Sequence, residues 1–248
     1  MTQSVAVVLA AGKGTRMQSE LPKVAVELLG KPLLVHVLDA LVKAGLKRIV
    51  IIVGYKQEIV KSITPSYPGV AIEFAEQKEQ RGTADALLSA RPSLADFSGQ
   101  LLVTCGDMPA IRPATFQRLL TAGGVPGKEP YMALLSAKLS SPTGYGRIVR
   151  QADQQVEAIV EEKDASPEIR ALDEVNAGTY VFPAPAIFAL MEQIGSDNAQ
   201  KEYYLTDTVA LSRQAGHAVS AVLMEDALEV LGVNSIADLS SLAERLAS

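Results

Sequence analysis

The chain has 248 residues, 48% of them hydrophobic and 21% charged, which suits one large α/β domain and excludes a disordered polymer. Its formal charge of −5 argues against nucleic acid or an anionic membrane as the main partner, so any bound anion must be gripped by local positive groups. A single cysteine, Cys105, no apolar run of bilayer length and no basic flank before the N-terminal apolar run together predict a cytoplasmic protein without signal peptide or membrane partner.

Val5-Ala-Val-Val8 reads as a buried strand of a parallel sheet, and Leu9-Ala-Ala-Gly-Lys-Gly-Thr-Arg16 leaves it. Gly12 and Gly14 bare their backbone N–H groups, while Arg16 and Lys23 add fixed positive charge, a cradle for a polyphosphate. It is not a Walker loop, because no Gly-Lys-Ser/Thr follows. The dinucleotide fingerprint also fails, with Met17 at its third glycine position. Gly30-Lys31-Pro32 predicts a helix with proline in its first turn, with Leu33, Leu34, Val37, Leu38 and Leu41 on one face and Gly45 at its end. A strand over 49–53, a short helix over 58–63 and a strand over 70–74 come next. A helix over 83–90, opening on Gly82, and a strand over 101–104 complete this half. Such alternation implies a parallel sheet with right-handed crossovers, whose ligands bind beyond the carboxyl ends of the strands. The Gly-rich loop, the Gln77–Thr83 loop and the Cys105-Gly-Asp107 turn all lie at such ends.

The second half changes character. Segments 131–138, 146–150, 156–161 and 175–182 read as strands with few helices between them, an antiparallel extension. Helices over 183–194 and 203–215, a strand over 218–223 and a closing helix over 236–246 follow. No hexapeptide periodicity occurs, so no left-handed β-helix is encoded here. The fold class is α/β and Rossmann-like, a mostly parallel sheet flanked by helices with an antiparallel extension.

Asp107, behind Gly106 at the end of a buried strand, is placed to hold a divalent metal or to cap the helix near Pro113. Asn234, after Gly232, offers a second oxygen or an N-cap for the closing helix. Gln77 presents an amide complementary to a uracil imide edge, and Gly82 allows backbone to approach a base. Gly144-Tyr-Gly-Arg147, Ile159–Asp164, Glu174–Tyr180 and Asn198–Asp207 carry the hydroxyls, amides and carboxylates that sugar recognition uses, though each is also an ordinary cap or turn cluster. His36 and His217 have no metal-ligand spacing, and no nucleophile elbow appears.

In this order and spacing the motifs resemble the uridylyltransferase domain of the bacterial N-acetylglucosamine-1-phosphate uridyltransferases, a family of sugar-1-phosphate nucleotidyltransferases. The likeness rests on Leu9–Met17, Leu21-Pro-Lys-Val24, Glu79–Thr83, Gly106-Asp107 and Gly144–Arg147 in the first part. Val160-Glu161, Asn176, Gln200–Tyr204 with Thr206-Asp207, and Gly232-Val-Asn234 extend it. It implies a nucleotide-diphospho-sugar transferase type of fold over 1–248, with a nucleotide-binding half of about 1–110 and a sugar-binding half of about 111–248. The implied reaction is uridylyl transfer from UTP to N-acetylglucosamine 1-phosphate, giving pyrophosphate. Leu9, Ala11, Gly12, Gly14, Gln77, Gly82 and Thr83 would hold the nucleotide, and Arg16 and Lys23 the triphosphate. Asp107 and Asn234 would coordinate Mg²⁺, and Gly146, Glu161, Asn176, Tyr204 and Thr206 would bind the amino sugar.

Bifunctional members continue into a β-helical acetyltransferase domain, of which these residues carry no sign. Several positions depart from the family pattern: Cys105 replaces an aromatic, Ala84-Asp85 replaces Gly-His, Lys201 replaces a glycine and Ala25-Val26 replaces Leu-His. Another acceptor such as glucose 1-phosphate, a nucleotide-binding regulator of the same fold, and homo-oligomerisation all stay open.

Overall fold

Apolar runs without polar alternation can be buried only between two layers, and the first-half strands are placed that way. The computed structural model describes residues 3–14, 17 and 19–247. Arg16, read above as a phosphate cation, lies outside the described residues. The chain begins with β1 (Ser4–Leu9), the two-residue strands β2 (Glu27–Leu28) and β3 (Lys31–Pro32), α1 (Leu33–Lys43), β4 (Arg48–Val53) and α2 (Gln57–Ile63). Next come β5 (Ala71–Glu76), α3 (Thr83–Leu88), β6 (Gln100–Cys105), α4 (Pro113–Ala122) and β7 (Met132–Lys138). The remainder is β8 (Arg147–Arg150), β9 (Val156–Val160), α5 (Pro167–Arg170), β10 (Glu174–Pro183), α6 (Ala186–Met191), α7 (Asp207–Gln214), β11 (Val219–Leu223) and α8 (Ile236–Ala247).

One sheet runs β11-β7-β10-β6-β1-β4-β5. β6, β1, β4 and β5 are parallel, as the alternation of elements predicts. The antiparallel part is narrower than the sequence suggests. β10 runs against both β6 and β7, whereas β11 pairs parallel with β7, and β8 and β9 form a branch off β10. Along β1, Val5 and Val7 enter one core and Ala6 and Val8 the other. The same split sends Val50 and Ile52 to the first layer and Ile49 and Ile51 to the second. The chain leaves β1 for β4 on one side and reaches β6 on the other. The loops after β1 and β6 therefore diverge and open a crevice at the strand ends.

A third, smaller cluster joins Met17, Leu28 and Leu33 to Val233 and Leu242. It pins the turn before α8 against the segment that follows the Gly-rich loop, bringing residues near 234 to residues near 23.

Three boundaries differ from the sequence reading. Pro32 is extended (φ −55°, ψ 142°) and belongs to β3, so the helix starts at Leu33. Pro183 closes β10, which confines the next helix to Ala186–Met191. Residues 203–206 are not helical. Tyr203 N–H donates to Arg81 O (2.8 Å) and Tyr203 O accepts from Ala84 N–H (3.0 Å), tying this segment to the loop after β5.

Candidate functional site

The carboxyl ends of β1, β5 and β6 surround a cavity of about 340 Å³. Leu9, Ala11, Gly12, Gln77, Gly82 and Thr83 line it, with Lys23 and Asp107 at its charged side. The backbone N–H groups of Gly12, Lys13 and Gly14 donate to no backbone carbonyl of the described residues. Gly14 does not line the cavity. It has φ +67°, and a Cβ there would fall 2.6 Å from Lys23 Cβ, so this glycine lets the Lys23 turn pack against the loop. Gly106 serves packing as well. A Cβ there would lie 3.0 Å from Val24 Cγ1, so its bareness admits a neighbouring side chain.

Lys23 is the hub of the charged side. Its ammonium pairs with the Asp107 carboxylate and donates to Asn234 Oδ1 at 2.6 Å. Asp107 does not cap the next helix, whose N-cap position is Arg112. Nor does the Asn234 side chain cap α8. Ser235 Oγ accepts from Asp238 N–H (3.2 Å), while the Asp238 carboxylate accepts from the N–H groups of Asn234 (2.9 Å) and Ser235 (2.8 Å). This reciprocal cap fills the role that Asn234 was weighed for. Two hard oxygens from distant segments thus converge on one cationic nitrogen. Among the described residues no three His, Cys, Asp or Glu side chains cluster for a metal. A carboxylate with one amide oxygen is a donor set that suits a hard divalent cation able to complete its shell with phosphate and water.

The residues assigned to the sugar form a second group. Thr206 Oγ1 donates to Glu161 Oε1 (3.2 Å), and a Cβ at Gly146 would sit 3.4 Å from that same oxygen. Asn176 N–H donates to Gly146 O at 2.9 Å. Glu161 and Tyr204 line a separate cavity of about 380 Å³ with Asp164 and Asp207, so the structure does not merge them into the cavity at the strand ends. Burial, with Asp207, Asp164 and Glu202 nearby, holds the Glu161 carboxyl above its ordinary range even though Thr206 favours the ionised form. The Tyr204 hydroxyl is buried beside the Asp164 carboxylate, with no partner within strict hydrogen-bond geometry among the described residues. Burial and the neighbouring Asp164 and Glu161 push it up to about 12. Asn176 is mostly committed internally, donating to the Tyr180 hydroxyl (2.7 Å) and accepting from Gly178 N–H (3.1 Å). A bulge in β10 between Asn176 and Tyr180 sets Gly178 beside Cys105, whose thiol donates to Gly178 O at 3.8 Å, so the two groups touch through β6 and β10. Burial and then Asp107 push the Cys105 thiol up to about 12.

Sequence reasoning missed Gln80, which lines the cavity and donates to Ala11 O at 2.8 Å, bridging the β5 loop to the Gly-rich loop. It also missed Lys13, whose ammonium lies 5.3 Å from the Tyr55 ring centroid. Their position at strand ends was the available signal. His36 Nε2 meets Leu28 O at 3.0 Å, and His217 stacks on Tyr131 and hydrogen-bonds Glu129 at 2.8 Å.

Comparison with known proteins bears on this arrangement. The nucleotidyl transferase family model matches residues 5–241. The chain is 46% identical over 243 residues to the bifunctional protein GlmU of Syntrophotalea carbinolica, covering 97% of this chain and 51% of that one. It is 47% identical over 239 residues to the protein of the same name from Thermus thermophilus, covering 94% and 50%. The chain therefore spans about half the length of the curated relatives it matches. Among solved structures, a UDP-glucose pyrophosphorylase complexed with UDP-glucose superposes with a TM-score of 0.80 at 16% identity, covering 100% of this chain and 99% of that one, and so shares its fold.

Proposed function

The chain belongs to the nucleotidyl transferase family, and from that premise we propose that it transfers a uridylyl group from UTP to N-acetylglucosamine 1-phosphate, releasing pyrophosphate, with Mg²⁺ as cofactor. The observation that carries the proposal is the convergence of Asp107 and Asn234 on one cationic position beside a glycine-lined cavity. The half-length identity to the GlmU proteins and the order of the sugar motifs support the choice of acceptor.

In this reading a phosphate oxygen of the sugar attacks the α-phosphorus of UTP, and the bond to the bridging oxygen breaks to release pyrophosphate. Catalysis of this kind is mainly positioning and charge neutralisation. The N–H groups of Gly12 and Gly14, with Lys13 and Lys23, receive the triphosphate charge. Asp107 and Asn234 would hold Mg²⁺, which when bound offsets charge on the reacting phosphate oxygens. Gln77 and Gly82 meet the base, and Glu161 and Thr206 offer acceptors and a donor to sugar hydroxyls.

The test is pyrophosphate release across four nucleoside triphosphates and two acceptors, N-acetylglucosamine 1-phosphate and glucose 1-phosphate, each with and without Mg²⁺. The expected result is turnover with UTP and the acetamido sugar in Mg²⁺ alone. Preference for glucose 1-phosphate would reassign the acceptor, and saturable UTP binding without pyrophosphate release would make the protein a regulator.

A further inference from the structure

Asp85 stands beside the loop after β5, and both of its carboxylate oxygens are hydrogen-bonded. Arg81 donates to Asp85 Oδ1 through Nε (3.1 Å) and Nη2 (2.7 Å). The other carboxylate oxygen accepts from Gln77 Nε2 at 2.9 Å. Gln77 Nε2 also donates to Gly82 O at 3.1 Å. Both neighbours of that nitrogen, a carboxylate and a carbonyl, can only accept, so turning the amide over would set Oε1 against two acceptors. The amide is thereby held in one orientation. Its Oε1 makes no hydrogen bond among the described residues, is not a fully buried unpaired atom, and belongs to a side chain that lines the nucleotide cavity. The neighbouring Gly82 N–H likewise has no acceptor among the described residues.

We propose that Asp85 is a specificity-determining positioning residue: by fixing the Gln77 amide it presents the cavity with an acceptor only, and so selects a pyrimidine whose ring nitrogen N3 carries a proton. Uracil meets this requirement, its N3–H facing Oε1 and an imide carbonyl available to Gly82 N–H. Cytosine, of the same size, presents a lone pair at N3 and an amino group in place of the carbonyl, so each contact becomes a repulsion. An unfixed glutamine would turn over and serve either base. Asp85 does this without touching substrate. The inference rests on the uridylyl-transfer reading and adds the device that enforces its base choice.

The test is the ratio of kcat/KM for UTP and CTP, with direct nucleotide Kd values, in the wild type, Asp85→Asn and Asp85→Ala. In Asp85→Asn the donor-only Arg81 claims the amide oxygen and turns the new NH₂ toward Gln77, favouring the flipped glutamine. The UTP:CTP ratio should fall about tenfold in kcat/KM and in Kd, the equivalent of one charge-assisted hydrogen bond, with the KM for sugar phosphate unchanged. Asp85→Ala should fall less, since Gly82 O still holds Nε2. An unchanged ratio in both variants, with UTP and CTP weakened alike, would overturn the inference and leave Asp85 a helix-terminal ion pair. A wild type that shows no preference for UTP over CTP would overturn the uridylyl reading itself, and the inference with it.

Discussion

Lys23→Met tests the cation site without relying on turnover. In the wild type the Lys23 ammonium neutralises Asp107 and donates to Asn234 Oδ1 at 2.6 Å. The Lys23 and Asp107 side chains are 16% and 18% exposed, between a surface pair and a buried one. Removing one partner of a fully buried pair costs about 3–5 kcal/mol and of an exposed pair about 0–1, so about 2 kcal/mol is expected here. In a domain of this size that lowers Tm by about 4–8 °C. The variant also leaves two oxygens facing a cation-sized gap. Added Mg²⁺ or Mn²⁺ at a hundred times its Kd should then return about 2.7 kcal/mol, enough to restore the wild-type melt. The same metal should shift the wild type less, because there it competes with an ammonium already in place. Thermal melting against metal concentration, without nucleotide, reads both effects, and Asp107→Asn combined with Lys23→Met supplies the control that loses the response. Equal metal shifts in wild type and Lys23→Met, or none in either, would refute the assignment of Asp107 and Asn234 to a metal.

Other substitutions probe separate parts of the molecule. Glu161→Gln keeps an acceptor for Thr206 but removes a buried charge crowded by Asp207, Asp164 and Glu202. A carboxyl whose folded-state pKa is raised stabilises the fold only while protonated, so the variant should melt higher than wild type at pH 8. That difference should close as pH falls below the ordinary carboxylate range, while KM for the sugar phosphate rises; a pH-independent Tm difference would contradict the crowding. Gly82→Ala places a Cβ 2.5 Å from Tyr203 O at φ +122°, so it should cost about 1–3 kcal/mol and weaken UTP and CTP together, read by melting and nucleotide titration. Glu229, buried, accepts from Arg112 N–H (2.9 Å) and the Thr115 hydroxyl (2.5 Å), so Glu229→Ala should cost about 2–4 kcal/mol in denaturant unfolding with kcat of the folded enzyme unchanged.

Local chemistry explains why much of the fold could be read directly. The runs at β1, β4 and β6 are apolar on both faces because two cores consume them, and a parallel sheet is the arrangement that buries such strands. What sequence could not give was pairing between strands remote in the chain. The segment 218–223 looks like a strand in either direction, and only its partner β7 decides that it runs parallel. Residues 203–206 carry a helical apolar pattern, but hydrogen bonds to Arg81 and Ala84 hold them irregular, and tertiary bonding outweighs weak helix propensity over one turn.

The site divides along the same line. Gly12, Gln77, Gly82 and Asp107 were recognisable because strand ends in a parallel sheet share one rim, a consequence of topology alone. Asn234 was legible only as one of two readings, with the family resemblance favouring the ligand, since Asn followed by Ser before a helix satisfies a cap by either side chain. The decision comes from Asp238, which completes a reciprocal cap with Ser235 and accepts the Asn234 backbone N–H, leaving the Asn234 amide to face Lys23. That orientation helps only because Met17, Leu28 and Leu33 bury Val233 and Leu242 and carry the turn across to the charged side. Apolar packing between segments more than two hundred residues apart is therefore what sets the Asn234 amide beside Lys23 and Asp107, and no periodicity along the chain encodes that encounter.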